Sequence, residues 1–191
     1  MPADAGRKLV LLRHAKSAWP DVPDDERPLA RRGQRDAPAM GRWLRDAALV
    51  PDQVLCSPAR RARETWQLAQ AGLGTSPPVR FDDRAYQASA AQLLDLIRGA
   101  SPAARTLLVV GHDPALPDLA LTLAAAALSA HAEPASSVMA VRMRTLFPTA
   151  AVAVLGITGN WDQLTPRSAR LTHFMRPRDL SASARPESDT K

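Results

Sequence analysis

Residues 8–17 read Lys-Leu-Val-Leu-Leu-Arg-His-Ala-Lys-Ser, an apolar run that ends abruptly in charged and polar side chains. Such a short aliphatic run is typical of a strand buried on both faces of a parallel sheet. Similar runs, rich in Val and Leu, recur at 53–56, 106–110 and 151–157. The stretch therefore predicts a first strand that is followed directly by Arg13 and His14.

Longer segments with helical periodicity lie between these runs. One apolar stripe follows the i, i+3, i+4, i+7, i+11 spacing of a helix face: Ala37, Met40, Gly41, Leu44 and Ala48. Ser57 and Pro58 predict the N-cap and first position of a second helix, and further helices are predicted at 89–98 and 114–128. Strands alternating with helices predict an α/β fold, a three-layer sandwich with a mostly parallel central sheet and helices on both faces.

The composition indicates one globular domain. The chain has 191 residues, of which 46% are hydrophobic and 23% charged, as in ordinary folded proteins. We expect a flexible N-terminus at 1–6, a folded domain at 7–178 and a disordered tail at 179–191, where little can pack. No apolar run is long enough for a signal segment or a membrane span, so a cytoplasmic protein without a membrane partner is expected.

Basic residues exceed acidic ones, with a net charge of +6. Lysine occurs only at Lys8, Lys16 and Lys191, so arginine supplies the rest of the 25 basic residues. Arginine can grip phosphate oxygens with two parallel hydrogen bonds, although a codon bias also accounts for such a composition. Aromatic residues make up only 4% of the chain and do not interleave with the arginines, so a nucleic-acid partner is not expected.

Polar side chains follow three of the predicted strands. Arg13 and His14 follow the first, the segment 57–65 with several arginines follows the second, and His112 follows the third. Ligands of open α/β sheets bind outside the carboxyl ends of the strands, and clustered cations there require an anion. The sequence therefore predicts a phosphate site at this edge.

Other phosphate chemistries fail on spacing. No Gly-Lys-Ser/Thr segment is present, which excludes a P-loop. A cysteine phosphatase loop would need arginine six places after Cys56, where Ala62 stands, so Cys56 is expected to be a small buried residue. No cluster of residues has metal-ligand spacing, so neither a metal nor another cofactor is expected.

Three motifs in order resemble those of the histidine phosphatase superfamily, which includes the phosphoglycerate mutases. They are Arg13-His14-Ala, Ser57-x-x-x-Arg61-Ala-x-x-Thr65 and Val-Val-Gly-His112. Within it, the chain looks like the SixA-type phosphohistidine phosphatases, because residues 13–17 read Arg-His-Ala-Lys-Ser and residues 24–29 contain Asp-x-x-Arg-Pro-Leu. Gly33, Pro148-Thr149 and Arg176-Pro177-Arg178 fit as well, so that the similarity runs over 8–180.

The resemblance implies the roles of the site residues. His14 is the nucleophile that forms a phosphohistidine intermediate, and Arg13, Arg61 and His112 bind the phosphoryl oxygens. For the general acid the best counterpart is Asp83, with Asp24 and Asp25 as competitors. A neutral imidazole can attack phosphorus near physiological pH without prior deprotonation, which agrees with the first of these roles.

Several further residues near the motifs are expected to have roles outside catalysis. Arg60 and Arg63 are expected at the rim or in solvent, Ser57 is expected to cap a helix rather than bind phosphate, and His131 and His173 are expected to be structural or surface residues. Asp113 places a negative charge beside the third motif.

The expected function is a metal-independent phosphatase acting on phosphohistidine proteins or another phosphorylated substrate. One alternative is a small-metabolite phosphatase or mutase of the same superfamily. Mutases are usually longer, with a larger insertion over the pocket, whereas only 130–147 could form a lid here. The other alternative is a non-catalytic module that binds phosphate or nucleic acid.

Overall fold

A six-stranded sheet forms the centre of the protein in a computed structural model that describes residues 6–125 and 134–183. The strands are β1 (Arg7–Arg13), β2 (Gln53–Cys56), β3 (Val79–Phe81), β4 (Thr106–Gly111), β5 (Val152–Ile157) and β6 (Ala169–Met175). Their order is β3-β2-β4-β1-β5-β6. The first four are mutually parallel, and β5 pairs antiparallel with both β1 and β6. The predicted mostly parallel sheet is confirmed.

Helices cover both faces of this sheet. They are α1 (Arg31–Asp46), α2 (Arg60–Leu73), α3 (Ala90–Arg98), α4 (Ala115–Leu123), α5 (Pro134–Thr145) and α6 (Pro177–Ser183). Side chains of α1 and α2 share one apolar core, and those of α3, α4 and α5 share the other. Strand β1 serves both, because Leu9 and Leu11 enter one core while Val10 and Leu12 enter the other. The three-layer α/β sandwich expected from the sequence is therefore present.

Helices α1 and α2 approach each other closely through two glycines. A methyl group on Gly41 would collide with the backbone carbonyl of Ala69, and one on Gly72 would collide with that of Pro38. Glycine is thus required on each helix at the contact. This packing fixes the start of α2, which carries Arg61, relative to the sheet.

Two strands and several element ends differ from the sequence-based expectation. Strand β3 has three residues, all exposed, so no apolar run marks it. Strand β6 alternates buried and exposed residues, with an irregularity in its pairing to β5, and a search for continuous apolar runs misses it. Helix α4 ends at Leu123, whereas the sequence predicts a helix over 114–128; residues 126–133 lie outside the described part of the chain.

A helix occupies the first residues of the predicted tail. Helix α6 (Pro177–Ser183) extends over 179–183, where the sequence predicts disorder. The Asp179 carboxylate accepts hydrogen bonds from the backbone N–H and guanidinium of Arg176 and from Arg142, which fixes the first turn. Residues 184–191 of the predicted tail and 1–5 of the predicted flexible N-terminus lie outside the described residues. Among residues 6–125 and 134–183, no helix is long and apolar enough to cross a membrane.

Candidate active site

The carboxyl ends of β1, β2 and β4 bring the three sequence motifs together. In the sheet β4 lies between β1 and β2, with Arg13 paired opposite Gly111. The backbone N–H of His14 then donates to the carbonyl of Gly111 at 2.9 Å, and that of Ser57 donates to Val110 at 3.0 Å. The motifs therefore form one site because their strands are neighbours, as the strand-end argument requires.

His14 lies buried at the floor of this site, with 9% of its surface exposed. Burial, and to a smaller extent the nearby His112, Arg61 and Arg13, lowers the pKa of its imidazole to about 3. Its Nδ1 lies 2.8 Å from the carbonyl oxygen of Ala15. A carbonyl can only accept, so Nδ1 carries the proton and Nε2 keeps a free lone pair. His14 is thus a neutral imidazole with one nitrogen available for attack.

His112 faces His14, with the two ring centroids 5.1 Å apart. Burial, and then the charge of Arg61, lowers the pKa of His112 to about 4. Its Nδ1 lies 3.5 Å from Nη2 of Arg61, and its Nε2 lies 2.8 Å from Oγ of Ser57. Since a guanidinium can only donate, Nδ1 of His112 is the acceptor, and its Nε2–H donates to Ser57.

The prediction that Ser57 is the N-cap of α2 is therefore wrong. The helix begins at Arg60, and its N-cap position is Ala59. The Ser57 hydroxyl accepts a long hydrogen bond from the N–H of Ala59 at 3.4 Å and also contacts His112. The Ser-Pro pair predicts a cap from local sequence, but the strand end turns this side chain towards the neighbouring strand. Ser57 is a site residue.

Arg13, the last residue of β1, is partly buried. Its Nη1 donates to the carbonyl of Phe147 and lies 3.7 Å from Oδ2 of Asp113. Burial lowers the pKa of Arg13, and the charge of Asp113 partly offsets this effect. Its Nε is buried without a hydrogen-bond partner among the described residues. Asp113, with 40% of its side chain exposed, thus lies against the site and tempers the charge of Arg13.

Arg61 lies in the first turn of α2, and only 8% of its side chain is exposed. Its Nη1 donates to the carbonyl of Asp24, and its Nη2 donates to Oδ2 of Asp24 at 2.9 Å. Thr65, one turn later in the same motif, accepts from the N–H of Ala15 at 2.9 Å. The spacing of the second motif is thereby explained, since Arg61 reaches the site and Thr65 holds the loop that carries His14.

Asp83, the general acid expected from the sequence, does not join the cluster formed by His14, Arg61 and His112. Asp83 is exposed in a 3-10 turn, and within the described chain no side-chain hydrogen bond or ion pair joins it to the other site residues. Asp25 is likewise exposed. The structure instead brings in Asp24 and Tyr86, whose hydroxyl donates to Oδ2 of Asp24 at 2.8 Å. The ring of Tyr86 lies 5.7 Å from that of His112. In the sequence, Tyr86 directly follows the turn at 83–85, and this position is the only local signal that could have indicated its place in the site.

Among the described residues, none of the remaining candidates makes a hydrogen bond to His14 or His112. Arg60 and Arg63 are exposed, and Arg60 pairs with Glu64 at 2.7 Å. His173 is exposed on β6, while His131 lies outside the described residues. Cys56 is buried, and burial raises the pKa of its thiol to about 12, so it is not a nucleophile. In the part of the chain that is described, no three His, Cys, Asp or Glu side chains are grouped as metal ligands would be.

Comparisons with known proteins indicate the family and the fold of the chain. The family model of the histidine phosphatase superfamily (branch 1) matches residues 9–85. An uncharacterized protein of Mycobacterium tuberculosis is 40% identical over 168 residues, which cover 87% of this chain and 100% of that protein. The structure of the candidate phosphohistidine phosphatase SixA of Nakamurella multipartitia is 35% identical, covers 90% of this chain and 96% of its own, and superposes with a TM-score of 0.78. A corresponding candidate SixA of Agrobacterium tumefaciens is 26% identical, covers 90% and 99%, and has a TM-score of 0.72.

Proposed function

This chain belongs to the histidine phosphatase superfamily and is of the SixA type, and from that premise we propose that it is a metal-independent phosphatase in which His14 attacks phosphorus. The observation that carries the proposal is the state of His14. Its imidazole is buried and neutral, its Nδ1–H is held by the carbonyl of Ala15, and its Nε2 lone pair is free beside His112 and Arg61. A nucleophile of this kind needs no base to activate it.

The reaction proceeds in two steps. The lone pair on Nε2 of His14 forms a bond to phosphorus while the bond to the leaving group breaks, and the leaving group departs with the electron pair. Water then attacks the phosphohistidine, releases inorganic phosphate and regenerates His14. The transition state spreads negative charge over three equatorial oxygens. Arg13 and Arg61 neutralise that charge. The one N–H of His112, on Nε2, is donated to Ser57 in this structure and would be redirected to a phosphoryl oxygen when substrate binds.

The state of Asp24 and the position of Asp83 support a proposal for the substrate class. The hydrogen bonds from Tyr86 and Arg27 lower the pKa of Asp24 to about 2, so Asp24 holds no proton at neutral pH. Asp83 is exposed and does not join the cluster. An alkoxide leaving group needs a strong proton donor, whereas the imidazole of a phosphohistidine leaves much more readily. We therefore propose protein phosphohistidine as the substrate, a role that also appears in the names of the two SixA structures.

A substrate panel tests this proposal. EDTA-treated protein is assayed for phosphate release from a histidine-phosphorylated peptide, a serine-phosphorylated peptide of the same sequence, and phosphoglycerate. We expect the phosphohistidine peptide to be preferred in kcat/KM by at least about 100-fold. Its imidazole, protonated on the other ring nitrogen, leaves as a neutral base, so it needs no proton from a carboxylic acid of the protein. His14→Ala should abolish turnover, while His173→Ala, an exposed histidine on β6, serves as the matched control and keeps it.

Equal or faster turnover of phosphoglycerate would contradict the substrate class and favour a metabolite phosphatase or mutase. Turnover that is lost with EDTA and restored by a metal would contradict the metal-independent mechanism.

A further inference from the structure

Asp24 is the most heavily bonded acidic side chain of the site. Its Oδ2 accepts hydrogen bonds from Nη2 of Arg61 at 2.9 Å and from the Tyr86 hydroxyl at 2.8 Å. Its Oδ1 accepts from Nη1 of Arg27 at 2.9 Å, and its backbone carbonyl accepts from Nη1 of Arg61. Three residues from separate parts of the chain thus converge on one carboxylate, although 51% of its side chain is exposed.

Arg27, on the far side of Asp24, is itself held rigidly. Only 7% of its surface is exposed. It donates to Oγ of Ser17 at 2.7 Å and to the carbonyl of Ala18 at 3.1 Å, and its guanidinium lies 3.2 Å from the ring centroid of Trp19. Ser17 and Ala18 belong to the loop that follows His14. Asp24 is therefore anchored to the same loop as the nucleophile.

The contacts of Arg61 show what this anchor does. A guanidinium carries five N–H groups in a rigid plane. Two of those of Arg61 are directed to Asp24 and one faces Nδ1 of His112, which leaves two for the oxygens of a phosphoryl group. A free arginine side chain samples many rotamers, and fixing them before the substrate arrives removes that entropic cost from binding and from the transition state.

We propose that Asp24 is a positioning residue, and not the proton donor, which orients the Arg61 guanidinium towards His14 through the Arg27–Asp24–Tyr86 cluster. The proposal rests on the proposed phosphatase function. It assigns to Asp24 a role through Arg61 only, with no contact to the leaving group.

Leaving-group dependence separates the two roles of a carboxylate. Wild type and Asp24→Asn are compared on a series of aryl phosphates whose phenols span a range of basicity. Asn keeps the shape of Asp but loses the charge, so we expect kcat/KM to fall by about 10- to 100-fold. The same factor should apply to every member of the series, because positioning of Arg61 does not depend on the leaving group. Asp21→Asn, an exposed residue of the same loop, is the matched control and should behave as wild type.

Binding of orthovanadate, measured by calorimetry, provides a readout that needs no turnover. We expect Asp24→Asn to weaken it by about 10-fold or more, and Asp21→Asn to leave it unchanged. Tyr86→Phe removes only the hydroxyl that contacts Asp24 and should weaken vanadate binding in the same direction by a smaller factor of about 3. Thermal unfolding of each variant shows that the effects do not come from loss of the fold, and Tyr86→Phe decides the question if Asp24→Asn does not fold.

Three results would overturn the proposal. A loss that grows with the basicity of the leaving group would make Asp24 the general acid. Tighter vanadate binding in Asp24→Asn would make it a competitor of the phosphoryl group for Arg61. Unchanged kinetics and vanadate binding in both Asp24→Asn and Tyr86→Phe would show that the Arg27–Asp24–Tyr86 cluster does not orient Arg61. If wild type binds vanadate yet hydrolyses neither aryl phosphates nor phosphopeptides, the phosphatase function fails instead, and the binding data still decide whether Asp24 positions Arg61.

Discussion

The imidazole rings of His14 and His112 lie with their centroids 5.1 Å apart, at the ends of two strands that are direct neighbours in the sheet. Burial lowers the pKa of both rings, to about 3 and about 4. Two neutral histidines can therefore share a buried site with Arg13 and Arg61 without adding to its positive charge. In the proposed mechanism, an incoming phosphoryl group would meet two cations and a histidine that is already deprotonated.

The lowered pKa of His14 makes the stability of the fold depend on pH. In the unfolded chain its imidazole titrates near 6.5, so between pH 6.5 and about 3 the unfolded state binds more protons than the folded state. Stability therefore decreases as the pH falls through this window. From pH 7 to pH 5 we expect His14 alone to reduce the free energy of unfolding by about 2 kcal/mol.

Urea unfolding of wild type and His14→Gln at the two pH values measures this contribution. The variant should lose about 2 kcal/mol less than wild type over the interval, because glutamine does not titrate. His173→Gln serves for comparison, because burial, and then the charge of Lys8, lowers the pKa of that more exposed ring too, so its removal should change the pH dependence in the same direction but by less. An equal pH dependence in wild type and His14→Gln would contradict a lowered pKa of His14.

Arg13→Lys tests the need for a guanidinium at the end of β1. Lysine keeps the charge but loses the planar fork that donates to the carbonyl of Phe147 and that, in the proposed mechanism, binds the phosphoryl oxygens. We expect kcat/KM to fall by about 100-fold, the usual effect of removing one donor that stabilises a transition state. Arg63→Lys, at an exposed position of α2, should keep the wild-type rate. Equal rates in Arg13→Lys and wild type would show that charge alone suffices.

Ser57→Ala tests the contact between the second and third motifs. Without the hydroxyl, the buried Nε2–H of His112 loses its acceptor at 2.8 Å and the ring is free to turn. A fall in kcat/KM of about 10-fold is expected. Ser57→Thr, which retains a hydroxyl, should recover part of the rate, and Ser101→Ala, an exposed serine, is the control. A wild-type rate in Ser57→Ala would show that the hydrogen bond between His112 and Ser57 does not contribute to turnover.

Gly41→Ala tests the close packing of α1 against α2. The added methyl group would meet the backbone carbonyl of Ala69, which has little freedom to move. We expect the free energy of unfolding to decrease by about 1–3 kcal/mol or more, as in other overpacked cores. In Gly99→Ala the nearest atom would lie 3.5 Å away, an ordinary contact, so stability should change little. Denaturant unfolding compares the two, and similar values would contradict the packing described here.

The sequence predicts which of the site residues lie together at the edge of the sheet, because local patterns determine their positions. Each of Arg13, His14 and His112 follows a short apolar run, and the sheet rule places the ends of parallel strands at one edge. Family motifs then identify Arg61 among several arginines of the same segment. These residues needed no knowledge of long-range packing.

The surroundings of the site depend on contacts that no local pattern reports. Asp24 reaches Arg61 and Tyr86, which lie 37 and 62 residues further along the chain. Asp24 is the first of three consecutive acidic residues at 24–26, and only the folded loop distinguishes it from Asp25. Asp83 resembles the acid of related enzymes in its position, yet the following turn directs Tyr86, and not Asp83, towards His112.

The most direct test of the central claim is the intact mass of EDTA-treated protein, quenched in alkali during turnover of a phosphorylated substrate. Wild type is expected to carry a single phosphoryl adduct that is stable in alkali and lost in acid, as a phosphohistidine is. His14→Ala should carry none and release no phosphate. An adduct or turnover that persists in His14→Ala would show that another group attacks phosphorus and would contradict the account.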